Sequence, residues 1–252
     1  MGTVAAPNPV AGASPSTMAR LAGVLYLLII VGALFIPFAV PAPSGMMRPD
    51  TALLAADQVL ASRSHRLFGG IAQLAILTCD LCVALILYEL LKPVGRNLSL
   101  LAAFFRVVFV AIAGANVLNQ LAPLVLLDRA EYRSAFNPDQ LQALSSLFFR
   151  LRTIGFDIAL VFFGLHCVIV GYLLFKSTFF PRILGVLLAI GGVSYLINIF
   201  ANVMHTTVRA HLFPWIMLEA GAAEALLTLW LIIAGVNSSK WRVQASAART
   251  RT

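Results

Sequence analysis

The chain has 252 residues, of which 60% are hydrophobic and 11% charged, with a formal net charge of +8 and a mean hydropathy of +0.92. Soluble domains carry about a quarter charged residues, so this composition excludes an ordinary soluble globular domain. The basic excess does not signal nucleic acid: Arg and Lys sit at the ends of apolar stretches, where they set topology and meet anionic headgroups, and no basic run interleaves with aromatics.

Residues 1–19, rich in Ala, Pro, Ser and Thr and free of charged side chains, read as a disordered tail. The first apolar stretch, Leu21–Val40, exceeds the 7–15-residue apolar core of a secretory signal and predicts a retained helix. Further apolar stretches lie at Leu67–Leu91, Leu98–Leu127, Gly155–Phe175, Ile183–Val203 and Phe213–Val236. A membrane span needs about 20 apolar residues, so all six qualify. Hydrocarbon offers no partner for backbone polar groups, which leaves helices or a closed barrel. Continuous rather than alternating apolar runs exclude the barrel. The expected fold is all-α: a polytopic bundle of six transmembrane helices over residues 20–238, with a basic tail at 239–252.

Between the spans, Asp50–Ser62 predicts a short interfacial helix capped by Asp50. Asn137-Pro138-Asp139-Gln140 is a stronger helix start. Asn137 caps, Pro138 occupies the first turn without losing a needed donor, and Gln140 can return a bond to the cap. Behind it Leu141, Leu144, Phe148 and Leu151 recur at helical spacing, in a helix that lies along the interface or leads directly into the fourth span. Lys and Arg divide almost evenly between the two sides. The short acid-free loops Lys92–Asn97 and Lys176–Arg182 carry the most topological weight, which places both termini in the cytoplasm of a cell-membrane protein.

Polar side chains inside the spans are where function can be encoded. Asp80 and Arg106 flank the Lys92–Asn97 turn on consecutive helices, and the helical rise puts their depths only about 4–5 Å apart. An unpaired charge at mid-membrane costs at least ~2.5–3.5 kcal/mol, so the two are expected to pair. His166 and Glu224 also sit near mid-membrane, as a proton relay or as contributors of metal ligands. Towards the outer leaflet, Asn116, Asn119, Asp157, Asn198, Asn202 and Glu219 converge from four helices, either as a binding layer or as interhelical hydrogen bonds. Asp157 shares a seven-residue stripe with Gly164 and Gly171 that suits close helix packing.

Other chemistry finds little support. Cys79 and Cys82 form a C-x-x-C, but inside an apolar helix with no second pair, so they read as small hydrophobes. No metal-ligand spacing, phosphate loop or G-x-S-x-G occurs, and no metal or other cofactor is expected.

Three segments, LLKPVGRNLSLLAAFFRVV at 90–108, FNPDQLQALSSLFFRL at 136–151 and GFDIALVFFGLHCVIVGYLLFKSTFFPRILGVLLAIGG at 155–192, resemble the bacterial membrane-protein family known as domain of unknown function 4386. The resemblance spans roughly residues 16–236 and implies a six-helix integral membrane protein. It carries no activity, cofactor or catalytic residue, and singles out Arg106, Asp157 and His166 for inspection. Three functions follow from the residues. One is binding or transport of a small molecule or lipid through the outer polar layer. The second is an intramembrane lipid-modifying enzyme using Asp157, His166 and Glu224. The third is a structural or accessory subunit, and membrane lipids are partners in every case.

Overall fold

The computed structural model describes residues 14–39, 59, 61–203 and 215–249, and all secondary structure among them is helical. The helices are α1 (Pro15–Ala39), α2 (Arg63–Leu91), α3 (Arg96–Ala115), α4 (Val117–Asp128), α5 (Ala130–Ala135), α6 (Pro138–Lys176), α7 (Arg182–Val203), α8 (Trp215–Ile233) and α9 (Ser238–Arg249). Five segments are long and apolar enough to cross a membrane: α1, α2, α3 with α4, α6 and α7. A sixth comes from α8 and α9 taken together across a 102° bend. Apolar residues make up nearly all of α8 and few of α9, so the crossing belongs to α8.

The spans close into a ring. Each of α1, α2, α3, α6, α7 and α8 packs on the next, and α8 returns to α1. Large apolar side chains face outward around it, among them Leu28, Phe68, Phe104, Ile158, Ile190 and Leu229, while Arg106 and Asp80 are buried inside. Lipid tails are as apolar as leucine, so the outward hydrophobes cost nothing there and the polar groups gather at the axis.

The first helix begins earlier than its apolar stretch. Ser14 caps it by accepting a bond from the Thr17 amide at 3.1 Å, and Pro15 sits where no donor is needed. The stretch read as one span from Leu98 to Leu127 is broken at Asn116, between α3 and α4. Asn137 and Gln140 form the expected reciprocal cap, at 2.9 and 3.0 Å. The helix that they start runs 39 residues without interruption, about 58 Å and nearly twice the hydrocarbon thickness. It therefore leads directly into the fourth span. Its projecting half packs Leu141 against Leu124, Leu126 and Leu127 of α4.

Close backbone approach holds α6 to α7. A Cβ on Gly171 would lie 2.6 Å from the Ala189 nitrogen and Gly185 oxygen, and one on Gly192 would lie 2.7 Å from the Gly164 oxygen. The Gly164–Gly171 stripe is thus a helix–helix contact without side chains between. At the other end of the chain, Gly235 adopts φ +62° and ends α8, with its amide and that of Ala234 both donating to the Trp230 carbonyl at 2.9 Å. The chain then turns into α9, which Trp241 ties down through its indole N–H to the Leu90 carbonyl at 2.9 Å. Residues read as a basic tail therefore form an amphipathic helix lying across the bundle's end.

The expected helix over 50–62 falls almost wholly outside the described residues, as do residues 1–13, 204–214 and 250–252.

Candidate functional site

Every spanning helix contributes one polar side chain to a network at the centre of the ring. Arg106 of α3 donates from Nε to Asp80 Oδ1 of α2 at 2.8 Å, and its Nη2 makes a second bond to the same oxygen. Arg106 is 0% exposed, and its pairing with Asp80 follows from the matched depths of the two residues. Its Nη1 donates to the Tyr26 hydroxyl of α1 at 3.3 Å and to His166 Nε2 of α6 at 3.1 Å. Tyr26 donates onward to Glu224 Oε2 of α8 at 3.3 Å, and Tyr195 of α7 donates to Glu224 Oε1 at 2.6 Å. Aromatic rings seal the guanidinium: Cζ lies 4.7 Å from the Tyr26 ring centroid and 5.4 Å from that of Phe163.

These bonds fix the state of His166. Its Nδ1 lies 2.8 Å from the Ala102 carbonyl, which can only accept, so Nδ1 carries the hydrogen. Arg106 can only donate, so Nε2 offers its lone pair. The imidazole is the neutral Nδ1–H form, with both nitrogens engaged. His166 and Glu224 are joined through Arg106 and Tyr26, and Asp157 lies nine residues back on α6, about 13–14 Å along the helix. The structure does not gather Asp157, His166 and Glu224 around one reacting point.

Sequence reading separates the Asp80–Arg106 pair from His166 and Glu224; the fold joins all four. It also passes over Tyr26 and Tyr195. A tyrosine deep in an apolar span, away from the interfacial belts, needs a partner for its hydroxyl, and that was the available signal.

The polar residues expected towards the outer leaflet divide. Asn116 donates to the Arg152 carbonyl at 2.7 Å and accepts from Asn119 at 2.9 Å, tying the α3–α4 break to α6. Gly155 makes room for it, since a Cβ there would lie 2.6 Å from Asn116 Oδ1. Glu219 accepts from Ser194 at 2.8 Å between α7 and α8. Asn198 is buried on α7, and the Asn202 side chain lies outside the described residues. From this layer Asn116 and Asp157 line a cavity of about 410 Å³ between α1, α2, α3 and α6.

That cavity reaches from the layer of Asn116 and Asp157 to the central network. Arg152, Thr153, Phe156, Asp157 and Asn116 stand at one end, Asp80 at the other, and Ile29, Ile76, Leu77 and Phe109 between. Gln73 also lines it, and its shielded Oε1 has no hydrogen-bond partner among the described residues. A larger groove, about 780 Å³, lies between α9 and the turn carrying Lys92 and Arg96. It is the seat of a surface helix and lies apart from the buried polar groups.

A ring of apolar helices around a hydrogen-bonded polar network defines an integral membrane protein of the polytopic helical class. The chain belongs to the family described as domain of unknown function (DUF4386), whose sequence profile matches residues 21–235. It is similar to an uncharacterised protein of Archaeoglobus fulgidus, 28% identical over 165 residues, which covers 66% of this chain and 82% of that one. No solved structure matches it.

Proposed function

We propose that the protein binds, and passes across or along the membrane, a small amphiphile with an apolar body and a hydrogen-bond-donating head. The observation that carries this is the cavity between α1, α2, α3 and α6, with apolar walls, polar groups at both ends and an unfilled acceptor on Gln73. Ligand sites combine largely apolar linings with a few placed polar groups in this way, and a buried acceptor without a partner is costly unless a ligand or water supplies the donor. In this reading the mouth lies near the outer leaflet of a cell membrane, and both termini are cytoplasmic.

Thermal unfolding of the detergent-purified protein against monoacyl amphiphiles of differing headgroup (monoolein, oleic acid, lysophosphatidylcholine) tests it. A ligand at 100 times its Kd stabilises by ~2.7 kcal/mol, a readily measured shift. Ala33→Trp, from a lining position with an exposed side chain, fills the cavity and is expected to abolish the shift. Asp157→Asn is expected to reduce it for some headgroups and not others. No shift of the wild type by any compound, or an undiminished one in Ala33→Trp, refutes the reading.

A further inference from the structure

The central network does not balance in charge. Its cation is Arg106, and its carboxylates are Asp80 and Glu224, with His166 held neutral by the Ala102 carbonyl and the guanidinium. The groups that face Glu224 come from every element around it: Tyr26 of α1, Asp80 of α2, Arg106 of α3, Cys167 of α6, and Tyr195 of α7, with Thr228 bonding its carbonyl from the same helix. Arg106 is the one positive charge among them. Glu224 is only 9% exposed, so an ionised carboxylate leaves a net negative charge in an interior of low dielectric.

Either a metal cation or a proton can neutralise it. A cation needs several oxygen lone pairs turned inward. Here each Glu224 oxygen already takes a tyrosine hydroxyl, and the Tyr26 oxygen accepts from Arg106. Among the described residues no three His, Cys, Asp or Glu converge. A proton needs no such shell.

We infer that the Glu224 carboxyl, held between Tyr26 and Tyr195, takes up and releases one proton, switching the six-helix network between a neutral and a singly negative state. Uptake moves a proton from hydronium to one carboxylate oxygen and leaves water, with no redox partner. The new O–H changes the bonding beside it. Both tyrosines now donate to Glu224; the oxygen that takes the proton becomes a weaker acceptor and its new O–H needs an acceptor of its own, so the bond to the tyrosine beside it weakens or reverses. If that is Tyr26, α1 feels the change, and Ile29 and Ala33 of α1 stand three and seven residues further on the same face, in the cavity wall. The proton site does not depend on the cavity holding a ligand.

Infrared difference spectroscopy of the protein in phosphatidylcholine nanodiscs, stepped through pH with circular dichroism to verify folding, tests this. Beside the bands of its water-exposed carboxyls, the wild type is expected to gain on acidification one protonated-carboxyl band at the high frequency of a group buried away from water. Glu224→Gln, which preserves shape and one acceptor, is expected to lose it. Asp157→Asn, at the cavity mouth, keeps it unchanged, which separates this test from that of the ligand reading. Tyr195→Phe keeps the band but moves its midpoint, because one donor to the carboxylate is gone. A band that survives Glu224→Gln belongs to another carboxyl and overturns the assignment, as does an unmoved midpoint in Tyr195→Phe. Absence of any such band, with stabilisation by sodium chloride over choline chloride, assigns the neutralising charge to a metal cation instead.

Discussion

Arg106 uses the whole of its guanidinium. Two nitrogens face Asp80, the third faces Tyr26 and His166, and aromatic rings cover the plane. Only a planar, forked cation can do this, so lysine is a poor substitute. Removing one partner of a buried ion pair costs about 3–5 kcal/mol because the other charge is left uncompensated. Arg106→Gln is therefore expected to destabilise the protein by about that much in mixed-micelle unfolding. Combining it with Asp80→Asn is expected to recover ~0.5–3 kcal/mol, the coupling typical of groups in contact. Strictly additive losses in the double variant count against mutual pairing as the reason for their burial. The pair was legible in the sequence because depth along a helix follows from counting residues, and two buried charges of opposite sign at one depth have few other solutions.

At the scale of elements, glycine has two different meanings here. On the α6–α7 face the backbones touch, and a side chain at Gly171 has no space to enter. Gly171→Leu is expected to separate the helices and cost at least about 1–3 kcal/mol, the usual range for overpacking. Gly221 on α8 faces open space, with nothing within 4 Å of an added Cβ. There Gly221→Ala is expected to be neutral or to stabilise by about 0.5–1 kcal/mol through helix propensity. Unfolding of the two variants side by side checks the contrast, and equal effects would count against a packing role for Gly171. The cap of α6 is a third local device. Asn137→Ala is expected to cost about 1 kcal/mol, seen as faster amide exchange over the first turns of α6 while the span at 155–175 stays protected. This cap was legible because its whole mechanism lies within four residues. The break at Asn116 was not. Pro123, the obvious breaker, sits inside α4, whereas Asn116 is committed by its bond to the Arg152 carbonyl across the bundle.

For the molecule as a whole, closure of α8 onto α1 sets which ends share a face. The start of α1 lies beside the end of α8, where a Cβ on Gly235 would sit 3.0 Å from Ser16 Oγ. Gln244 of α9 accepts from Thr178 in the α6–α7 turn at 2.8 Å, and Trp241 reaches Leu90 beside the α2–α3 turn. The short basic loops and both ends of the helical domain therefore occupy one face. Reporters fused at Met1 and Thr252 are expected to read out on the same side, and the positive-inside rule predicts that this side is the cytoplasm. Reporters on opposite sides would contradict the ring itself; both outside would contradict only the orientation. By itself the sequence determined the helical class, the spans, the cap of α6 and the Asp80–Arg106 pair, because periodicity, length and depth are properties of a single helix or of two joined by a short turn. Only the tertiary structure decided that Tyr26, His166, Tyr195 and Glu224 share one network with that pair, and that Asp157 and Asp80 stand at opposite ends of one cavity. Neighbourhood between α1, α6, α7 and α8 depends on which helix faces meet across the ring, and residues up to 198 positions apart in the chain become partners there.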